Sequence, residues 1–285
     1  MATAEFRNGR LIGVNDEPRA WPELAVFGDP VEHSLSPRLH AAALSGRGID
    51  AEYVAIRVTR DHLADALVAA LDGGVRGLNL TVPLKEEGLR LATRAADECR
   101  RIGAANTLVA RSGEWTAHNT DARGLAMALE RGLGAALSRQ LGDCLILGSG
   151  GSARAAVVAL EGLGARRITV AARTIGRADW CLEFGARALP MEDIHPSDAS
   201  IVVNCTPVGL DPDAPPVIDP SQLRADAYIL DLTYAERPSR LLAEFTGRGQ
   251  DGRAMLVAQA ALAFSVWYGA LPPLPDMAAA IGLDW

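Results

Sequence analysis

The sequence predicts a two-domain α/β protein whose sheets are mainly parallel. Three observations carry that expectation: the chain has 285 residues, apolar strand-like runs alternate with helical stretches along most of it, and a glycine-rich turn opens its second half. A chain of this length exceeds the size at which single hydrophobic cores usually stop growing, so two cores are expected. Strand–helix alternation builds parallel sheets, because each return to the sheet crosses over through a helix.

Residues 1–22 have no periodicity and are expected to be a lead-in. A strand begins at residues 24–27, followed by a helix at about 37–47, a strand at 53–58, a helix at about 61–71 and a strand at 77–82. Helical signals follow Lys85 and recur at about 93–100, and residues 107–110 and 115–117 read as a short hairpin around Ser112-Gly113. The next helix starts at Asp121 and carries Leu125, Leu129 and Leu133 on one face. It leads through Gly142 into strands at 144–147, 168–172, 201–204 and 228–232, a second and doubly wound sheet. A loop from Asp211 through Pro220 is rich in proline. The last apolar helix starts near Met255 and is expected to fold back on the first domain. The first domain is therefore expected to hold residues 1–119 and 253–285, and the second residues 120–252.

Composition narrows the function. Lys and Arg number 28 against 35 Asp and Glu, a net charge of −7, and no Lys/Arg-rich block stands out, so nucleic acid is not an expected partner. Cys99, Cys144, Cys181 and Cys205 are far apart and lack CxxC spacing. They read as buried thiols of a reducing compartment, with no metal expected. The most apolar stretch, residues 255–267, is interrupted by Gln259 and Ser265 and is shorter than a bilayer span. With no basic-then-apolar leader pattern, a soluble cytoplasmic protein without a membrane partner is expected.

Leu145-Ile146-Leu147-Gly148-Ser149-Gly150-Gly151-Ser152-Ala153 reads as a strand turning into a helix. Gly148, Gly150 and Ala153 meet the GxGxxG/A pattern in its required context, after an apolar strand and before a helix rich in Ala and Val. Glycine lets the backbone approach a pyrophosphate, and the helix offers it N-terminal amides. A tight turn with no ligand has the same local pattern. With the strands that follow, the loop points to a Rossmann-type domain. Enzymes choosing an unphosphorylated ribose place Asp or Glu at the end of the next strand, where this chain has Ala172-Arg173-Thr174, with Arg177 one turn later. Two guanidinium groups and a hydroxyl suit a ribose 2′-phosphate, which favours NADP over NAD. Arginines at a helix start also occur on ordinary surfaces.

In the strand at 77–82, alternation puts Leu78, Leu80 and Val82 on one side and Asn79 and Thr81 on the other. Pro83 ends the strand, so Lys85 falls near the first turn of a helix, where the dipole disfavours an ammonium; a nearby carboxylate would favour it. Such opposed influences suit a lysine to proton transfer, although Lys85 alone also fits a solvated surface charge. Asp121, in Asn119-Thr120-Asp121, supplies a carboxylate and equally fits a helix N-cap. An acid/base pair beside a dinucleotide suggests hydride transfer. In His33-Ser34-Leu35-Ser36-Pro37, Ser36 reads as an N-cap with Pro37 at the first helical position. The hydroxyls of Ser34 and Ser36 at a helix N-terminus also suit a carboxylate ligand. Gln259 is the one amide of an apolar helix, needing a backbone partner or a polyhydroxylated ligand.

These residues together resemble the shikimate dehydrogenases, which interconvert 3-dehydroshikimate and shikimate in aromatic amino acid biosynthesis. The resemblance spans residues 24–273. It rests on His-Ser-Leu-Ser-Pro at His33, Asn-Leu-Thr-Val-Pro-Leu-Lys at Asn79, Gly-Ala-Ala-Asn-Thr-Leu at Gly103, Asn-Thr-Asp at Asn119, the loop at Gly148, Asn-Cys-Thr-Pro-Val-Gly-Leu at Asn204 and Met-Leu-Val-Ala-Gln-Ala at Met255. It implies that Ser34 and Ser36 bind the substrate carboxylate, and that Asn79, Thr81, Asn106, Asp121 and Gln259 contact hydroxyls. Lys85 with Asp121 then handles the proton, and Tyr234 lies near the substrate. It also implies a cofactor held by residues 148–153, Arg173, Thr174, Arg177 and Thr206, and an N-terminal mainly parallel substrate domain beside the NADP-binding domain, with a cleft that closes over the ligands.

Departures from the family pattern are His118 before Asn119, Ala122-Arg123 after Asp121, Pro207 where Ser is common, and Ala254 where glycine is frequent. None removes a residue assigned chemistry. The resemblance further implies a small-molecule substrate and a monomer or homodimer. The alternatives are a dehydrogenase of quinate or an amino-substituted shikimate, and a noncatalytic NADP-binding sensor, against which Lys85 and Asp121 argue.

Overall fold

The computed structural model describes residues 3–13 and 15–285. It separates into two compact units, one holding the chain through Thr120 together with Gln259–Trp285, the other holding Asp121–Ala258.

The first unit runs β1 (Thr3–Arg7), β2 (Arg10–Ile12), β3 (Leu24–Gly28), α1 (Ser36–Gly46), β4 (Tyr53–Arg57), α2 (Leu63–Asp72) and β5 (Gly77–Leu80). It continues with α3 (Lys85–Leu91), β6 (Arg94–Ala95), α4 (Asp97–Ile102), β7 (Thr107–Arg111) and β8 (Glu114–His118). Its sheet is ordered β2-β1-β4-β3-β5-β7-β8-β6. Strands β1, β4, β3 and β5 are parallel, and the β7–β8 hairpin reverses direction. Every residue of β3 and β5 is buried, as expected for strands covered on both faces.

The expected lead-in is instead built into this sheet, although Met1, Ala2 and Val14 lie outside the described residues. Asn8 and Gly9 take positive φ values of 52° and 76°, the conformation a two-residue hairpin turn requires, and β1 and β2 pair on either side. Ala4, Phe6 and Leu11 are buried by it, three positions too few to register as a periodic run. The same turn chemistry at Ser112-Gly113, with φ of 52° and 77°, closes the expected β7–β8 hairpin.

The second unit runs α5 (Asp121–Leu133), α6 (Leu137–Gln140), β9 (Asp143–Leu147), α7 (Gly151–Leu163), β10 (Arg167–Ala172) and β11 (Arg187–Pro190). Then follow β12 (Ile201–Asn204), β13 (Tyr228–Asp231), α8 (Arg240–Ala243) and β14 (Arg248–Gln250). All its pairings are parallel, in the order β11-β10-β9-β12-β13-β14. This is the doubly wound, Rossmann-type order, reversing between β9 and β12. The crossovers are leaner than a full set of helices: two 3₁₀ turns, Ile175–Arg177 and Asp179–Phe184, lie between β10 and β11, and the proline-rich loop lies between β12 and β13.

The chain closes with α9 (Arg253–Tyr268), whose residues from Gln259 onward belong to the first unit, and α10 (Leu274–Ala279). No described helix is long and apolar enough to cross a membrane. Cys99, Cys144 and Cys181 are buried free thiols, and burial pushes Cys144 up to about 12, but Cys205 is only half-buried, at the tip of β12.

Within the first unit, α1 turns His40 inward and buries it completely. Its ring stacks on Tyr53 with centroids 4.2 Å apart and tilts against Trp267 at 5.2 Å. Burial drives His40 from the usual 6.5 down to about 3, against a smaller upward pull from the Asn79 amide. Unfolding therefore takes up a proton below about pH 6.5, and stability falls as pH drops from there toward 3. In His40→Leu, the slope of unfolding free energy against pH, from urea titrations between about pH 6 and 4, becomes shallower by up to about 1.4 kcal/mol per unit. In the N-terminal hairpin, Phe6→Ala lowers stability by about 3 kcal/mol in the same titration, whereas a mere tail would register no change.

Candidate active site

Each unit holds a polar constellation of its own. In the first, Ser34 and Ser36 flank the start of α1, and the capping oxygen is not the expected one. Helix α1 begins at Ser36 itself, with Pro37 second, and the hydroxyl bonded to the first helical N–H is that of Ser34, which accepts from Ser36 N at 3.2 Å. Ser36 is thus the first buried residue of the helix rather than its cap.

Strand β5 ends at Leu80, so Thr81 and Val82 belong to the turn that follows; Val82, expected on the apolar side, is 63% exposed. Thr81 N donates to Phe27 O at 2.9 Å, and the Thr81 methyl lies where a side chain at Gly28 would have to be, so only glycine fits there. Lys85 is the first residue of α3, and its carbonyl accepts from Ala105 N at 2.8 Å. That bond holds the start of α3 one residue from Asn106.

Asn79 and Asn106, 27 residues apart, are drawn together by a bond from Asn79 Nδ2 to Asn106 O at 3.0 Å. Asn106 Nδ2 donates to Thr120 Oγ1 at 2.8 Å and to Gln259 Oε1 at 3.2 Å. The three amides are all buried, with Gln259 the most open at 9%. Gln259 thereby has a side-chain partner, the Asn106 amide, where the sequence leads one to expect only backbone or ligand.

In the second unit, α5 begins at Asp121, which is 3% exposed and lies in the first turn, where the helix dipole favours a carboxylate. Gly148 leaves β9 with φ of 106°, and an added Cβ would lie 3.3 Å from Cys205 C and O and from the Thr206 methyl. Gly150 is the N-cap of α7, Gly151 and Ser152 open its first turn, and Ala153 is fully buried. A Cβ at Gly150 would meet no atom within 4 Å. The loop therefore offers bare backbone and helix N–H groups, as a pyrophosphate requires.

Gly148 N donates to Ala171 O at 2.8 Å, which brings the end of β10 level with the loop. Arg173 and Thr174 follow at once, and Arg177 closes the next 3₁₀ turn through a bond from its N to Thr174 O at 3.0 Å. All three are exposed, with room to meet a phosphate at the same sheet end as the glycines. Thr206 is tied to Asn204, whose Oδ1 accepts from Thr206 Oγ1 at 2.7 Å and from its N at 3.0 Å.

Sequence reasoning missed what holds Thr206 and the half-buried Tyr234. Asn204 and Asp231 are fully buried at the tips of β12 and β13, and Asn204 Nδ2 donates to Asp231 Oδ1 at 2.9 Å. Asp231 also accepts from Thr233 N, from the Thr233 hydroxyl at 2.8 Å and from the Ser239 hydroxyl at 2.5 Å. The available signal was a polar residue ending each apolar run, Ile-Val-Val-Asn and Tyr-Ile-Leu-Asp. Also unforeseen is Trp180, whose indole N–H donates to Ser149 O at 3.3 Å while the Arg154 guanidinium lies 4.7 Å over its ring.

The first unit thus brings the start of α3 beside convergent buried amides, and the second has a bare glycine turn with exposed cations at the same sheet end. Residues 26–108 match the family model described as the shikimate dehydrogenase substrate binding domain. A shikimate dehydrogenase (NADP(+)) of Hyphomonas neptunium is 39% identical over 264 residues, covering 89% of this chain and 94% of the relative. Its counterpart from Thermus thermophilus is 40% identical over 254 residues, covering 87% and 93%. A crystal structure of shikimate 5-dehydrogenase from Thermus thermophilus, in complex with NADP(H) and shikimate, superposes with a TM-score of 0.81 at 38% identity, covering 90% of this chain and 97% of that one. On identity and coverage of this extent, the chain belongs to the shikimate dehydrogenase family.

Proposed function

We propose that this protein is an NADP-dependent shikimate dehydrogenase, reducing 3-dehydroshikimate reversibly to shikimate. The observation that carries the reading is the agreement over about nine-tenths of the chain with relatives named for that activity. The glycine cradle at Gly148 and Gly150 fits a dinucleotide, since a side chain at Gly148 would press on Cys205 and Thr206. When bound, NADPH supplies the hydride for the C3 carbonyl.

The chain's own residues do the rest. Lys85 delivers a proton to the oxygen as negative charge develops on it, and Asp121 is the second acid/base group, assigned to a neighbouring hydroxyl. Ser34 and Ser36 receive the carboxylate of the substrate at the start of α1, where backbone dipoles favour an anion. Asn79, Thr81, Asn106 and Gln259 bind the remaining hydroxyls, with Tyr234 near the ring. Residues 148–153 and Thr206 hold the dinucleotide, and Arg173, Thr174 and Arg177 hold its 2′-phosphate. The buried free thiols Cys99, Cys144 and Cys181 suit a reducing, cytoplasmic compartment, and the enzyme is read as monomeric or homodimeric.

General acid help of this kind contributes on the order of 10²- to 10⁴-fold in rate. Lys85→Ala is therefore expected to lower kcat for shikimate oxidation by that factor while leaving its KM within a few-fold; near-normal turnover by NADPH absorbance removes Lys85 from the mechanism. The double variant Arg173→Ala with Arg177→Ala raises the KM for NADP at least tenfold and leaves that for NAD nearly unchanged. Equal effects on both cofactors would take the arginines away from the 2′-phosphate. Quinate, assayed in parallel, is expected to have the lower kcat/KM.

A further inference from the structure

The buried amides of the first unit are linked in a single direction, and the direction limits what they can offer a ligand. Asn79 Nδ2 donates to the carbonyl of Asn106, an atom that can only accept, so the nitrogen of this amide is assigned to that side. Its Oδ1 then faces the Tyr53 hydroxyl, which donates to it at 2.7 Å. The second hydrogen of Nδ2 goes to Thr107 Oγ1 at 3.1 Å. At the other end, Asn106 Oδ1 accepts from Thr120 N at 2.8 Å, an atom that can only donate.

Thr107 stands between these two fixed ends and is fully buried. Having accepted from Asn79, it must spend its one hydrogen on Asn106 Oδ1, 3.0 Å away. One backbone acceptor and one backbone donor thus set the polarity of both amides, and the Thr107 hydroxyl is the relay that keeps them consistent. Tyr53 cannot swing away from the head of this series, because its ring is stacked on His40 at 4.2 Å and flanked by Trp267 at 6.2 Å.

Both hydrogens of Asn79 are therefore committed within the protein, and one lone pair of Oδ1 is taken by Tyr53. We propose that Asn79 meets its substrate hydroxyl only as an acceptor, through Oδ1, and that Thr107 is the positioning residue that enforces this polarity. The inference rests on the reading that Asn79 contacts a hydroxyl of shikimate. It predicts that the enzyme requires a hydrogen-bond donor at that ring position, and that the requirement loosens when Thr107 loses its hydroxyl.

The test compares Thr107→Val, which keeps the shape and removes the relay, with Thr107→Ser, which keeps the relay. Expected for Thr107→Val is a KM for shikimate raised at least tenfold, with kcat and the KM for NADP within about twofold, and recovery of the shikimate KM in Thr107→Ser. The wild type is further expected to discriminate by at least tenfold in kcat/KM against one of the 4-deoxy-4-fluoro and 5-deoxy-5-fluoro analogues, whose fluorine cannot donate, and the valine variant to narrow that ratio. Equal shikimate KM in the valine, serine and wild-type proteins overturns the proposal. If Thr107→Val has no cooperative melt, Tyr53→Phe decides: a shikimate KM raised at least fivefold with unchanged kcat supports the ordered series, and an unchanged KM overturns it. A wild type that binds but does not turn over shikimate would instead sink the functional reading, an outcome visible before any variant is made.

Discussion

A buried amide or carboxylate left without a partner costs more than its hydrogen bond returns when made, and that asymmetry governs both halves of this molecule. Asn79, Asn106, Gln259, Asn204 and Asp231 are all buried. None could be accommodated singly. Each is tolerated because the sheet delivers a complementary group from a distant stretch: Thr107 and Asn106 from β7 and the residue before it, Asn204 and Asp231 from adjacent parallel strands in register. Polar chemistry within a core is thus a property of strand order before it is one of any residue. Groups so fixed are already oriented before a ligand arrives, which spares the reaction the work of arranging them.

The second unit applies the same economy to backbone. Gly148 is bound to Ala171 on one side, and on the other Cys205 and Thr206 leave little room for a side chain. The turn that faces a pyrophosphate, the strand end that presents Arg173, and the loop that carries Thr206 are therefore consequences of one register among β10, β9 and β12. Asn204 and Asp231 extend that register beyond the strands, pinning the loop after β12 and the turn after β13 to a shared carboxylate.

Much of this is legible in the chain because it is written locally. The glycine loop, the Ser112-Gly113 turn, the apolar strands of the second sheet and Lys85 at a helix start each depend on neighbours a few residues away. The N-terminal hairpin is not legible despite its Asn8-Gly9 turn, since Ala4, Phe6 and Leu11 make too short an alternation to distinguish from chance. Strands β11 and β14 escape for a different reason: Arg-Ala-Leu-Pro and Arg-Gly-Gln have little apolar pattern and exist because a neighbouring strand pairs with them. Ser36 reads as the cap although it is the first helical residue, because Ser34 provides the same oxygen from a different position. The roles of Tyr53 and Thr107 depend on partners more than twenty residues distant, and no window along the chain contains both ends of such a bond.

The four strands that border the two sheets, β2, β6, β11 and β14, contain between two and four residues, and each carries an arginine: Arg10, Arg94, Arg187 and Arg248. A long, flat, uncharged border would be a template on which a stray extended segment could dock and propagate into aggregate. Here an intruder finds few free amides, and a cation on each rim that its own backbone cannot satisfy. The segments with the weakest structural signal are thus the ones that blunt the sheet borders against stray pairing.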